Sequence, residues 1–322
     1  MAVYTEVSDE DLQAFAAAYD FGEVVSCKGI AEGVENSNYM LQTAKGPFIL
    51  TLYEKRVNPK ELPFFLGLME HLAAAGVRCP VPLKGRDGQA LRTLCDKPAA
   101  IVSFLNGISP RRTTADHCAE LGKALAELHQ AGMSYRVKRA NSLSLAGWKE
   151  LYAKSADSAE SIETGLRARL AEELDDLSQA WPATDALPNG VIHADLFPDN
   201  VFFRDGKCSG LIDFYFACND FLAYDIVVCL NAWCFEADGA FNITKANRLL
   251  SSYQTVRRLT PAEKLAMPLL ARGAALRFLL TRLYDWVNTP AGALVKPKDP
   301  REYLHKLNFH RRVTDIGAYG LS

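Results

Sequence analysis

The stretch VIHADLFPDNVFF, residues 191–203, sets His193, Asp195, Asp199 and Asn200 between apolar flanks that read as strand, tight turn, strand. A turn sequence, RDGK, follows at residues 204–207, and then the apolar run CSGLIDF, which contains Asp213. The two runs flanking the turn are predicted to pair as a hairpin. Asn200 precedes the first strand and Asp213 ends the second. Antiparallel pairing then brings both to one end of the ribbon, with Asp195 on the loop leading in. Two carboxylates and an amide oxygen converging this way offer hard oxygen ligands for magnesium and a carboxylate to accept a proton. Any one of these residues alone reads as an Asx side chain capping a turn. The complete set, with a hairpin of this length before Asp213, reads as chemistry.

Such a constellation needs a scaffold, and 322 residues suffice for one large domain or two lobes with separate cores. A hydrophobic content of 49% with 23% charged residues is ordinary globular composition. A net charge of -2, with basic residues offset throughout, gives no footprint for a nucleic-acid partner. The eight cysteines are scattered without a C-x-x-C pair, which argues against structural zinc and against a disulfide scaffold. They read as small buried hydrophobes in a reducing cytoplasm. The start, MAVYTEVSDEDLQ, is acidic and lacks the basic and apolar regions of a secretory signal, so none is expected. The longest apolar stretch, residues 267–287, is interrupted by Arg272, Arg277, Arg282 and Asp285, which predicts an amphipathic helix and no membrane span. Oligomeric state is left open.

Along the chain, Ser8 caps a predicted helix carrying Leu12, Phe15, Ala16 and Tyr19. Strands are predicted at residues 24–30, 38–43 and 48–53, the last two joined by AKGP, then a helix from about Pro59 to Ala75. Short strands at 79–83, 89–94 and 99–104 complete a strand-rich first hundred residues. Beyond LNGIS, Thr113 or Thr114 caps a helix through His129, and more helix follows to Trp181. Nearly continuous helix is predicted from Phe221 to Ile316. The expectation is an α+β fold with an antiparallel-sheet lobe over residues 1–104 and a mainly helical lobe over 105–322.

The spacing His193-x-Asp195-x-x-x-x-Asn200, followed by Ile212-Asp213-Phe214, resembles the catalytic-loop and magnesium-binding pattern of protein kinases. That resemblance implies Asp195 as the catalytic residue that orients the attacking hydroxyl and accepts its proton. It implies Asn200 and Asp213 as metal ligands and His193 as a scaffold residue bonded to nearby backbone. Ala194 replaces the usual Arg, and Tyr215 the usual Gly; both are typical of small-molecule kinases resembling aminoglycoside phosphotransferases, where no activation-loop phosphorylation has to be read. Gly33, Asn36 and Tyr39 form a G-x-x-N-x-x-Y pattern that resembles the phosphate-facing hairpin loop of that family. Glycine there admits backbone N–H groups to an anion, and Asn36 or Ser37 would donate further bonds. In PAAIVSFLNGIS, residues Ser103 to Leu105 would by resemblance offer backbone to the adenine edge, and also read as an inter-lobe linker. The family usually places Lys or Arg mid-strand for the α- and β-phosphates; Thr51 stands there, with Lys55 and Arg56 beyond the strand and Glu61 and Glu70 as candidate partner acids.

Four segments, GIAEGVENSNYML, FILTLYEKR, VIHADLFPDNVFF and the closing LLTRLYDW…KPKDPREYLHKLNFHR, together resemble the bacterial homoserine kinases of the aminoglycoside-phosphotransferase-like family, and Thr51 belongs to that resemblance. It implies transfer of the γ-phosphoryl group of ATP, with Mg²⁺, to the γ-hydroxyl of L-homoserine on the route to threonine. An amino-acid acceptor needs a cation for its carboxylate and an anion for its ammonium. Arg272, Arg277, Arg282 and Asp285 are candidates, although each arginine also reads as a helix-surface residue. Asp225, at the start of an apolar helix, reads as structural, and Asp220 as a residue that could face substrate. Trp233, Tyr284 and Trp286 read as core or pocket wall. Choline-, methylthioribose- and aminoglycoside-type kinases are rival readings, as is a nucleotide-binding pseudokinase motivated by Thr51.

Overall fold

The computed structural model describes residues 4–30, 36–54, 58–289 and 297–321. They divide into two compact units, one of Met1–Gly107 with Ser209–Tyr215, the other of Ile108–Cys208 with Phe216–Ser322. The fold is α+β, an antiparallel N-terminal sheet followed by a mainly helical remainder.

In the first unit, α1 (Asp9–Ala16) starts at Ser8, whose Oγ accepts the Asp11 N–H at 3.1 Å. Five strands follow, β1 (Val24–Gly29), β2 (Ser37–Thr43), β3 (Gly46–Leu52), β4 (Leu91–Leu94) and β5 (Lys97–Ser103), with α2 (Leu62–Ala74) between β3 and β4. They form one sheet in the order β1-β2-β3-β5-β4, antiparallel throughout. The AKGP turn does what its composition predicts: Thr43 pairs Gly46, and Gly46 adopts φ 119°. Alternation along β2 and β3 gives the sheet two faces. Tyr39, Leu41, Leu50 and Leu52 pack with Leu12, Phe15 and Ala16 of α1 into a buried cluster. Thr51 and Tyr53 lie on the opposite face. The strand predicted at residues 79–83 is reduced to one bridge, Pro82 to Val102. Pro80 and Pro82 have no N–H to give a ladder.

In the second unit, α3 (Ala115–Gly132), α4 (Leu145–Ala159) and α5 (Leu166–Ala180) precede β6 (Asn189–Ile192). Strands β7 (Val201–Arg204) and β8 (Lys207–Leu211) form a two-stranded sheet, the predicted hairpin, and the division between units falls within β8. Its turn residues Asp205 and Gly206 have φ of 51° and 74°, the sense a two-residue hairpin turn requires. Then come β9 (Cys218–Phe221), α6 (Leu222–Trp233), α7 (Ile243–Gln254), α8 (Pro261–Asn288) and α9 (Arg301–His310). The single long helical run predicted after Phe221 is thus interrupted. Gly239 turns at φ 86°, Asn242 caps α7, and Thr260 with Glu263 forms a capping box ahead of Pro261. Strand β9, Cys-Asn-Asp-Phe, was not foreseen; it pairs antiparallel with β6, Ile192 opposite Cys218 and Asn189 opposite Phe221. Helices α3 and α7 approach so closely at Gly122 that a Cβ there would stand 2.1 Å from the Leu249 carbonyl oxygen. Among the described residues no helix is long and apolar enough to cross a membrane.

Candidate active site

Strand β6 ends at Ile192, and the loop that follows is bent by main-chain geometry. Ala194 sits at φ 64°, a left-handed conformation that non-glycine residues adopt at some cost. What holds it is buried charge. The carboxylate of Asp225, near the start of α6, accepts the His193 N–H at 2.7 Å on Oδ2 and the Ala194 N–H at 2.8 Å on Oδ1. From α8, Arg277 Nη1 donates to the Ala194 carbonyl at 2.5 Å. Two residues beyond, the indole N–H of Trp233 donates to the Leu196 carbonyl at 2.7 Å. His193 itself is fully buried behind this bend, the setting of a scaffold group.

Asp225 anchors a longer chain of bonds. His129 of α3 donates from Nε2 to Asp225 Oδ2 at 3.1 Å, and its Nδ1 faces the Tyr253 hydroxyl at 2.8 Å. Arg257 donates to that hydroxyl at 3.0 Å and to Glu263 at 2.8 Å. Burial alone would push the Asp225 carboxyl up. The His129 hydrogen bond, the His129 and His193 charges and the His193 N–H outweigh it, and the group is held below the usual carboxylate range.

Past the bend, Asp195 and Asn200 come together. A 3-10 turn over Pro198–Asn200 folds the loop back. Asn200 Nδ2 then donates to the Asp195 carbonyl at 2.8 Å and to Asp195 Oδ2 at 3.3 Å. With its nitrogen committed as donor, the amide presents Oδ1 as its acceptor, the atom a hard cation takes. Asp199 is exposed at the same turn.

Asp213 belongs to the first unit and lies two residues after β8. It is exposed, and its φ is also 64°. Two of the predicted metal-site and loop positions, Ala194 and Asp213, therefore carry the strained backbone that concentrates at functional sites. Tyr215, in the place of the usual Gly, is fixed rather than free. Its ring meets Tyr53 and Phe65 edge-on, and its hydroxyl lies 3.0 Å from that of Tyr53. Burial pushes the Tyr215 phenol up to about 12. Among the described residues no group of three or more His, Cys, Asp or Glu side chains could hold a metal.

The nucleotide-side residues divide. Gly33, Lys55 and Arg56 lie outside the described residues. Asn36 Oδ1 accepts the Glu54 N–H at 3.3 Å. The Ser37 hydroxyl accepts from Tyr4 N and Thr5 N, and its one proton goes to Glu54 Oε1 at 2.7 Å. It is buried on the α1 face, in a cluster with Lys97 and Thr5, so its side chain has no proton for a phosphate. Thr51 donates to Asn38 Oδ1 at 2.8 Å. Glu70 pairs with Lys84, both half-exposed, as a surface ion pair. The Ser103 hydroxyl accepts the Val81 N–H at 2.9 Å, and Leu105 lies over Gly210 of β8.

Of the arginines singled out on α8, Arg272 is bound to Glu173 through Nε and Nη2 at 2.8 and 3.0 Å, and Arg277 holds the loop. Arg282 is buried, donating to the Asp299 carbonyl and to Glu302. It lines a cavity of about 360 Å³ in the second unit, with Phe197 and Asp199 of the loop and Lys298, Glu302 and Lys306. Asp220 takes a bond from Asn141 Nδ2 at 2.6 Å. Sequence patterns missed Arg277 and His129 as loop supports; the available signal was a charged residue inside an apolar helical run.

A family model described as phosphotransferase enzyme family matches residues 26–260. Over 322 residues the chain is 64% identical to the homoserine kinase of Rhodospirillum rubrum, with all of both chains covered. It is 63% identical over 327 residues to the homoserine kinase of Paramagnetospirillum magneticum, again covering both completely. Among solved structures, a microcompartment-associated aminopropanol kinase is similar with a TM-score of 0.71 at 18% identity, covering 98% of this chain and 99% of that one.

Proposed function

The chain belongs to the phosphotransferase enzyme family, and from that premise we propose that it phosphorylates the hydroxyl of L-homoserine with ATP, yielding O-phospho-L-homoserine for threonine synthesis. The observation that carries this reading is the full-length identity of 64% to a homoserine kinase, without gaps in coverage across the loop, hairpin and closing helices.

The residues have the following roles in the proposed mechanism. Asp195 orients the acceptor hydroxyl toward the γ-phosphorus and takes up its proton as the new P–O bond forms. Asn200 bonds the Asp195 carboxylate and main chain, which sets that carboxylate's rotamer, and offers Oδ1 to Mg²⁺. By family resemblance Asp213 would offer a carboxylate to Mg²⁺. When bound, Mg²⁺ neutralises the phosphate oxygens and the charge that develops on the leaving group. His193 and Ala194, tied to Asp225 and Arg277, hold the bend from which Asp195 projects. Asn36, Gly33 and the backbone from Ser103 to Leu105 serve the nucleotide; Ser37 contributes through the fold rather than its hydroxyl. Eight free cysteines and dependence on ATP support a cytoplasmic setting.

The test is ADP release with L-homoserine, choline, methylthioribose and kanamycin offered separately. Turnover confined to L-homoserine is expected. Preference for another alcohol replaces the acceptor. Magnesium-dependent ATP binding without turnover of any of them makes the protein a nucleotide-binding module.

A further inference from the structure

The cavity beside the loop is electrostatically unbalanced. Four cations line it, Arg111, Arg282, Lys298 and Lys306, against two carboxylates, Asp199 and Glu302. Two of the cations are buried: Arg282 is 8% exposed and Lys306 5%. They share one partner. Arg282 Nη1 donates to Glu302 Oε2 at 2.5 Å and Lys306 Nζ to Glu302 Oε1 at 2.6 Å. Both also sit over the ring of Tyr303, at 4.5 and 4.4 Å from its centroid. A single half-exposed carboxylate thus answers two desolvated positive charges, an arrangement that favours a second anion. Burial pulls the Lys306 ammonium below its usual range despite Glu302, and an anion in the cavity would restore it.

The loop reaches the same place. Phe197 and Asp199, two and four residues past Asp195, form part of the cavity wall, and Lys298 stands 5.3 Å over the Phe197 ring. Tyr303 is wholly buried, and its hydroxyl finds no hydrogen-bond partner among the described residues. Burial pushes its phenol up, and the charges that act on it are those of Arg282, Glu302, Asp195 and Arg277. Arg282 and Lys306 lie over this ring, and the Asp195 charge also acts on its phenol.

We propose that Lys306 and Arg282 bind the α-carboxylate of the acceptor in this cavity, leaving its side-chain hydroxyl to extend along the loop toward Asp195. The proposal rests on the reading that the acceptor is an amino acid. Glu302 then acts as a positioning residue: it aims both cations and keeps them apart without cancelling their charge. An acceptor without a carboxylate would leave both cations short of a partner, which gives the cavity a basis for rejecting simple amino alcohols.

Initial rates of wild type and Lys306→Met, with L-homoserine and ATP varied in turn, test this. Loss of a charge-assisted hydrogen bond should raise KM for L-homoserine at least tenfold, with KM for ATP within twofold of wild type. An unchanged KM for L-homoserine, or an equal rise for ATP, overturns the assignment. Should Lys306→Met melt below the assay temperature, Lys298→Met carries the test. Its side chain is exposed, and a rise of about threefold in KM for L-homoserine alone is expected; no rise counts against the proposal. A wild-type enzyme that ignores L-homoserine refutes the functional reading instead. The cavity assignment then stands only if the preferred acceptor carries a carboxylate.

Discussion

Asp195 owes its position to bonds made by other residues: the left-handed Ala194 before it is tied at both N–H and C=O, and Asn200 clasps its carboxylate. Replacing Asp195 with Asn preserves size and the contact to Asn200 while removing the proton acceptor. Turnover should drop by a factor of about 10² or more with the melting temperature unchanged. Wild-type kcat would remove Asp195 from its role. Asp213→Asn suits the same logic, because Asn tolerates the left-handed backbone that Asp213 adopts. Loss of its charge should raise the magnesium concentration for half-maximal rate about tenfold or more, read from a titration at saturating ATP. At this scale the hairpin between Asn200 and Asp213 was legible because its RDGK turn and apolar flanks are local. Arg277 lies 83 residues from the carbonyl it holds, so no local pattern announces it. Ser37 shows the opposite failure. Its place after a glycine loop suggested a phosphate donor, but strand alternation turns it toward α1, where Glu54 takes its proton.

Helices α3 and α7 meet where Gly122 lets one backbone lie against the other. Gly122→Ala would set a methyl against the Leu249 carbonyl and force the pair apart, costing about 1–3 kcal/mol of stability as overpacking does. Urea unfolding measures it, and an unchanged midpoint would mean the helices shift freely. The same contact bears on the site, because α3 carries His129 and α7 carries Tyr253, successive links in the support of Asp225. At this scale the first-unit strands were readable from alternation and the AKGP turn. The segment at 79–83 misled because its apolar character says strand while Pro80 and Pro82 withhold the N–H groups. Strand β9 escaped because four residues ending in Asp-Phe show too little pattern; its partner β6, not its own composition, makes it a strand.

Across the whole molecule, acid should act through buried groups that refuse protons. His310 is buried, its Nε2 donating to Asn231 Oδ1 at 3.1 Å and its Nδ1 facing the Tyr319 hydroxyl at 2.8 Å. Burial, with the nearby Lys306 charge, lowers it from 6.5 to about 3. Below pH 6.5 the unfolded chain binds a proton there that the folded chain does not, so stability declines as pH falls, by up to about 1.4 kcal/mol per unit, until the folded group also titrates. Asp225 acts in the same direction at lower pH: its depressed carboxyl contributes stability above the unfolded carboxylate range and loses it in acid. Melting temperatures from pH 7.5 to 5 should fall for wild type and less steeply for His310→Gln; parallel slopes would exclude His310 as the source. The division of the chain shows how far sequence reached here. A change from strand-rich to helix-rich composition suggested a boundary after residue 104, whereas residues 209–215 join the earlier unit through packing that no linear boundary expresses.

Position 194 is read only through its peptide atoms, the N–H by Asp225 and the C=O by Arg277. A side chain there has no charge to offer and none is asked of it. The curvature ahead of Asp195 is consequently a product of folding itself, complete once α6 and α8 have docked. Transplanting the loop into another scaffold should fail to reproduce that curvature unless the anchoring residues of both distant helices travelled with it.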